Sequence, residues 1–221
     1  MVNMGGPPQN LIPHLKNSTA SLVAQADNGA YMTYCGAVWV TKHHLVTAKH
    51  CVADNNDKVE IGSTVKYQIF AEFDNHFPFS ENTNVYVAKV IAEGAYNEDI
   101  ALLYTSDNVE HGIATMATYD PRPGQVVHHV GHPKGLQFSY ILAYISETRM
   151  LDVEDGPVRK VLNIVGFPWY GSSGGPGFDA QGNLIGICSM LLQAPGQTLF
   201  VHTDVVRSLL DDNDIKYHTL N

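Results

Sequence analysis

Gly171-Ser172-Ser173-Gly174-Gly175-Pro176 sets three glycines around a pair of serines in a chain of 221 residues. Glycine backbones reach conformations that other residues resist. Such a segment can project one serine hydroxyl while several N–H groups converge on one point. Acyl transfer needs that arrangement: the N–H groups of Gly171 and Ser173 could hold the oxyanion of a tetrahedral intermediate, and one such donor is worth about 10²–10³ in rate. The plain alternative is a Gly/Ser-rich turn in a loop.

On either side of the segment, Lys160–Gly166 and Asn183–Met190 read as strands, and the same pattern extends outward in both directions. Short alternating or β-branched runs occur at Ser21–Gln25, Tyr31–Val40, His44–Ala48, Lys58–Ile61, Val65–Ala71, Val85–Ala92 and Asp99–Thr105. After a stretch rich in Gly, Pro and polar residues, they resume at Val126–Gly131, Gln137–Ser146 and Thr198–Thr203. About a dozen short strands with frequent turn signals and almost no helix indicate an all-β sandwich or barrel protein. The division into two similar halves predicts two barrels, over residues 19–112 and 122–213. Residues 1–17 read as a loose arm. One helix is expected over Asp204–Leu210, capped by Thr203, with Val206, Leu209 and Leu210 on one face and Asp211–Asn213 ending it.

Two further signals complete a chemical set. In His44-Leu45-Val46-Thr47-Ala48-Lys49-His50-Cys51 an apolar strand ends just before His50. An imidazole there can take a serine proton, with an unperturbed pKa of about 6.5. Asp99 opens the apolar run Ile100-Ala101-Leu102-Leu103. Buried beside a histidine, it would fix the tautomer and stabilise the imidazolium. Neighbouring Glu98 points to the opposite face of such a strand. Singly, His50 is one of 11 histidines and Asp99 a common strand-start residue. Together the three stand in the order His, Asp, Ser, each at a strand edge, with His50 and Asp99 in the first half and Ser173 in the second. A triad shared between two barrels is built that way.

Bulk properties narrow the function class. The formal net charge is −9 and no basic run exists, which argues against nucleic acid as partner. No stretch approaches the roughly 20 apolar residues of a membrane helix, and Met1 to Asn17 lacks an apolar signal core. The expectation is a soluble protein without membrane association, either cytoplasmic or processed from a precursor. Three cysteines give no disulfide scaffold.

Thr47-Ala48-Lys49-His50-Cys51, Asp99-Ile100-Ala101-Leu102-Leu103 and Gly171-Ser172-Ser173-Gly174-Gly175-Pro176 resemble the three signature segments of trypsin-like (chymotrypsin-fold) serine peptidases. The resemblance covers about residues 19–210. It implies two antiparallel six-stranded β-barrels with a C-terminal helix and a site in the cleft between them. By resemblance Ser173 is the nucleophile, His50 the general base and then acid, and Asp99 its orienter, with Gly171 and Ser173 as the oxyanion hole. Many members bridge a cysteine of the Cys-Gly strand to one just after the histidine. Cys35 and Cys51 occupy those places, the alternative being two reduced thiols. Cys188 reads as a buried apolar residue.

Two departures matter. Secreted zymogen-activated members have Asp before the nucleophile, where this chain has Ser172, and no Ile/Val-Gly-Gly start follows a basic site. A preformed site is therefore expected, as in bacterial and viral branches, whose Gly-x-Pro-x-Gly loop Gly131-His132-Pro133-Lys134-Gly135 also resembles. Phe167–Tyr170 and Ser189–Leu191 should form the walls of the specificity pocket. Neither segment contains Asp or Glu, so preference for Lys or Arg is not expected. Phe167, Cys188, Met190 and Leu191 favour a small or apolar residue. His202 is a candidate reader of an acidic or amide side chain, and Ser189 would hydrogen-bond an extended substrate strand.

His128, His129, His132 and the pair His43-His44 invite a metal reading. Adjacent strand residues face opposite sides, however, and no acidic or Cys partner lies near in sequence. The expected function is a serine endopeptidase acting on protein or peptide through an acyl-enzyme, with no cofactor and no metal. A catalytically silent fold used as a binding module is the rival from another class, but it would normally have lost a triad residue or a motif glycine. An esterase with the same triad lacks its strand–elbow–helix context here.

Overall fold

The computed structural model describes residues 10–71, 84–95, 98–153, 156–166, 169–191 and 196–220; for 151–153, 156–159 and 191 it describes the backbone alone. Twelve strands among these form two closed antiparallel barrels. The first contains β1 (Thr19–Gln25), β2 (Tyr31–Trp39), β3 (His44–Thr47), β4 (Thr64–Ile69), β5 (Tyr86–Glu93) and β6 (Ala101–Tyr104), in the order β1-β2-β3-β6-β5-β4. The second contains β7 (Val126–Gly131), β8 (Ser139–Val153), β9 (Gly156–Val165), β10 (Pro176–Phe178), β11 (Leu184–Leu191) and β12 (Gln197–His202), in the order β10-β11-β12-β9-β8-β7.

Side-chain alternation sorts the apolar residues into three cores. Ala37, Trp39, Leu45, Tyr67 and Leu103 fill the first barrel. Val127, Ile145, Leu162, Ile164 and Phe200 fill the second. The opposite faces of the same strands meet in a third cluster, where Val38, Val46 and Leu102 of the first barrel join Val130, Ile187 and Val201 of the second. Strands buried on both faces read as continuous apolar runs. That is why Cys35–Val40 shows no polar alternation.

Several expectations need correction. Leu11–Asn17 forms a helix, α1, within the expected arm. Leu11 and Leu15, four residues apart on one face, are buried in the third cluster. Lys58–Ile61 is no strand; only Val59 makes an isolated bridge, to Ala53. β8 and β9 run well past their apolar parts as a long hairpin, their backbones paired as far as Val153 and Gly156. β10 is three residues hidden in the Gly-rich segment, too short to show an alternating pattern. The C-terminal helix α2 covers Thr203–Asp212, and its cap is His202 rather than Thr203. His202 ends β12 in an extended conformation, so its Nδ1 reaches the Asp204 N–H at 3.0 Å.

Candidate active site

His50 sits in a 3-10 turn, Lys49–Cys51, directly after β3. Its backbone N–H donates to Asp99 Oδ1 at 2.9 Å and its ring Nδ1 lies 2.8 Å from Oδ2. A carboxylate can only accept, so Nδ1 carries the proton and Nε2 is left as a free base. The hydrogen bond to Asp99 raises the His50 pKa above its ordinary value, outweighing burial, which lowers it. Burial pushes the Asp99 carboxyl up, but hydrogen bonds from His50 and Ser189 hold it below the usual range. Glu98 is turned to its own loop, accepting from Ala95 N at 3.1 Å. A disulfide joins Cys35 of β2 to Cys51, with 6.1 Å between their Cα atoms, and so fixes the histidine turn to the barrel wall.

The Gly-rich segment is pinned on both sides. Gly174 N–H donates to Cys188 O at 2.7 Å, and Gly36 N–H of the first barrel donates to Ser173 O at 2.7 Å. Gly171 has φ +97°, and a Cβ there would lie 2.3 Å from His132 O. Gly174 has φ +77°, and a Cβ would lie 2.2 Å from Gly36 O. No side chain fits either position. Among the described residues, the N–H groups of Gly171 and Ser173 donate to no acceptor. Two uncommitted donors beside a serine hydroxyl can bind an oxyanion.

Ser189 joins the parts. Its hydroxyl donates to Asp99 Oδ2 at 2.5 Å and its carbonyl accepts from Ser173 Oγ at 3.4 Å. The cause is a β-bulge: Cys188 opposes Phe200 and Met190 opposes Leu199, leaving Ser189 unpaired with β12. Bulges re-aim side chains in this way. Read from sequence, Ser189 is a pocket-wall residue and a partner for substrate backbone, with no link to Asp99. The bulge depends on pairing with β12, and no local signal announces it.

The other predicted residues divide. Phe167 lies outside the described residues. Tyr170 and Met190 are exposed, at 74% and 48%. Leu191 ends β11. Cys188 is buried in the second barrel, where burial and the Asp99 charge push its thiol pKa up. His202 is corrected: its ring is fully buried, committed to capping α2, and not placed to read a substrate.

The histidines of the stretch 126–132 are held by protein groups. His128 pairs with Tyr140, His129 with Pro176 O, and His132 with Ala20 O and Phe138 N. Asp120, His202 and Asp204 lie close together. Lys160 already bridges the two carboxylates. Because His202 Nδ1 accepts the Asp204 N–H, its Nε2 carries the proton and cannot ligate.

A family model for the trypsin-like peptidase domain matches residues 35–187. No curated protein sequence matches the chain. Among solved structures, the Rv3671c protease from M. tuberculosis in its active form superposes with a TM-score of 0.69 at 18% identity, over 97% of this chain and 90% of that one. Its inactive form gives 0.68 at 18%, over 96% and 98%. The HtrA-type protease AlgW with tripeptide gives 0.71 at 18%, over 92% of this chain and 62% of that one. At such identity these structures speak to the fold, which they share. With the family match covering well over half of its length, the chain belongs to the trypsin-like peptidase domain family and is a serine endopeptidase.

Proposed function

We propose that the chain cleaves peptide bonds through an acyl-enzyme on Ser173, after small or apolar residues. His50 Nε2 takes the Ser173 proton as Oγ attacks the scissile carbonyl. The N–H groups of Gly171 and Ser173 hold the resulting oxyanion. As the C–N bond breaks, the His50 imidazolium passes its proton to the leaving amine. Water, deprotonated by His50, then releases the acyl group and restores the serine. Asp99 orients the imidazole throughout. The observation that carries this reading is the double hydrogen bond of Asp99 to His50, which leaves Nε2 as the available base.

The acyl side of the substrate has an open strand edge to occupy. β10 pairs with β11 only as far as Ile187, so Ser189–Leu191 can hydrogen-bond an extended chain. No carboxylate sits among Ser189, Met190, Trp169 and Tyr170 to attract Lys or Arg, which supports the apolar preference.

Intact-mass analysis after fluorophosphonate treatment tests the nucleophile. One adduct on wild type and none on Ser173→Ala is the expected result, with peptide hydrolysis abolished in the variant. An adduct retained by Ser173→Ala, or absent from wild type, overturns the assignment.

A further inference from the structure

We infer that the cleft between β2 and the Pro133–Gly135 turn selects a large apolar or aromatic side chain on the leaving-group side of the scissile bond, within its first two residues. The inference rests on the peptidase reading and extends it to the far side of the cut.

The position of the cleft comes from four contacts. Its lining includes Tyr31, Met32 and Tyr34 of β2, Lys134 and Tyr170, and it ends at Gly171, one of the two oxyanion donors. β2 pairs with β1 from Tyr31 to Val38 apart from a bulge at Tyr34, but with β3 only at Val38 and Trp39. The edge of residues 31–35 is therefore open, and it begins where Gly36 N–H holds Ser173 O. Cys35, on the same strand, is bonded to Cys51 beside His50. The leaving amine collects its proton from His50, while the acyl portion lies along Ser189–Leu191. The departing chain then passes over the open edge of β2.

The chemistry of the cleft is unusual for an exposed surface. Met32 is 62% exposed, with Tyr31, Tyr34 and Tyr170 exposed around it. Rings and a thioether gathered at one concave place mark a binding site more than a solvated face. The ammonium groups nearby are set over aromatic rings, Lys66 above Tyr31 at 5.1 Å and Lys134 above Trp169 at 5.2 Å. No carboxylate is among the lining residues. In a chain of net charge −9, this locally cationic, aromatic cleft should disfavour lysine or arginine in the departing segment.

Two quenched peptides with the same acyl half test the inference, one carrying Phe and the other Ala at both positions after the scissile bond. They compete in one tube, and mass spectrometry assigns the cut. The Phe peptide should be favoured by about tenfold or more in kcat/KM. In Tyr31→Ser/Met32→Ser the ratio should fall below about threefold, and being a ratio it cancels any change in the chemical step. A second reading needs no variant. With an ester substrate, phenylalaninamide and alaninamide compete as acceptors; the amine nitrogen attacks the acyl carbonyl and displaces Ser173 Oγ. Phenylalaninamide should capture the larger share. Equal rates, equal capture, or a preference that survives the double variant overturns the inference and leaves the peptidase reading standing. Cleavage of neither peptide and no ester turnover overturns both.

Discussion

If His50 is the base of the proposed mechanism, its ring sets the pH at which the site can work. Asp99 raises its pKa above 6.5, so the imidazole becomes a base only as pH climbs through that raised value. For a neutral substrate, kcat/KM should therefore rise with pH along a limb centred above 6.5. Asp99→Asn should lower kcat by about 10⁴ and move the limb to lower pH, and a pH–rate profile of both proteins checks this. A limb at unchanged pH in the variant would detach Asp99 from His50. The linkage to stability has the same origin. The folded pKa exceeds the unfolded one, so the His50–Asp99 contribution is complete below about pH 6.5 and fades as pH rises through the folded value. Much of the candidate site is legible at this scale: His50 follows an apolar run, Asp99 opens one, and Ser173 stands among three glycines. The bond from Ser189 to Asp99 is not legible. It exists because β12 leaves one residue of β11 unpaired, a fact about two strands rather than one.

Between residues and barrels, the Cys35–Cys51 bridge ties the turn that carries His50 to β2. It closes a loop of 16 residues, for which chain entropy predicts about 3 kcal/mol of stabilisation. Replacing both cysteines with serine should lower the urea midpoint by a corresponding amount. A midpoint shift under about a tenth of that would mean the loop is held by its packing alone. Legibility varies among the elements for physical reasons. Residues 35–39 of β2, together with β3 and β6, announce themselves because both faces are largely buried there and their runs are unbroken. The distal parts of β8 and β9 mix charged residues with apolar ones and lose the signal. α1 is seven residues long and holds a proline. What stabilises it is Leu11 and Leu15 buried in the cluster between the barrels, and no propensity reports that.

Across the whole molecule, neutral histidines are sealed inside. Burial lowers His129 to about 4 and His132 to about 3. His202, at the start of α2, is likewise lowered to about 4 by burial. In the unfolded chain all three bind protons near about 6.5. Between that pH and their folded values the unfolded state holds more protons, so stability must fall as pH drops from about 6.5 toward about 4. Thermal unfolding across that interval should show a steady decline in Tm. His202→Asn, which keeps a side chain able to cap α2, should show a shallower one. A Tm that stays flat from about pH 6.5 to about 4 would contradict the neutral, buried state of these rings.

The hydrogen bond from Gly36 to Ser173 crosses from one barrel to the other. Its consequence appears in the order in which the chain is made. His50 and Asp99 leave the ribosome in the first barrel, and the nucleophile follows only with the second. On the proposed mechanism, the first barrel alone holds a base with nothing to activate, and the serine loop gains this anchor only by docking against that barrel. On that mechanism, activity therefore waits on the meeting of the two barrels.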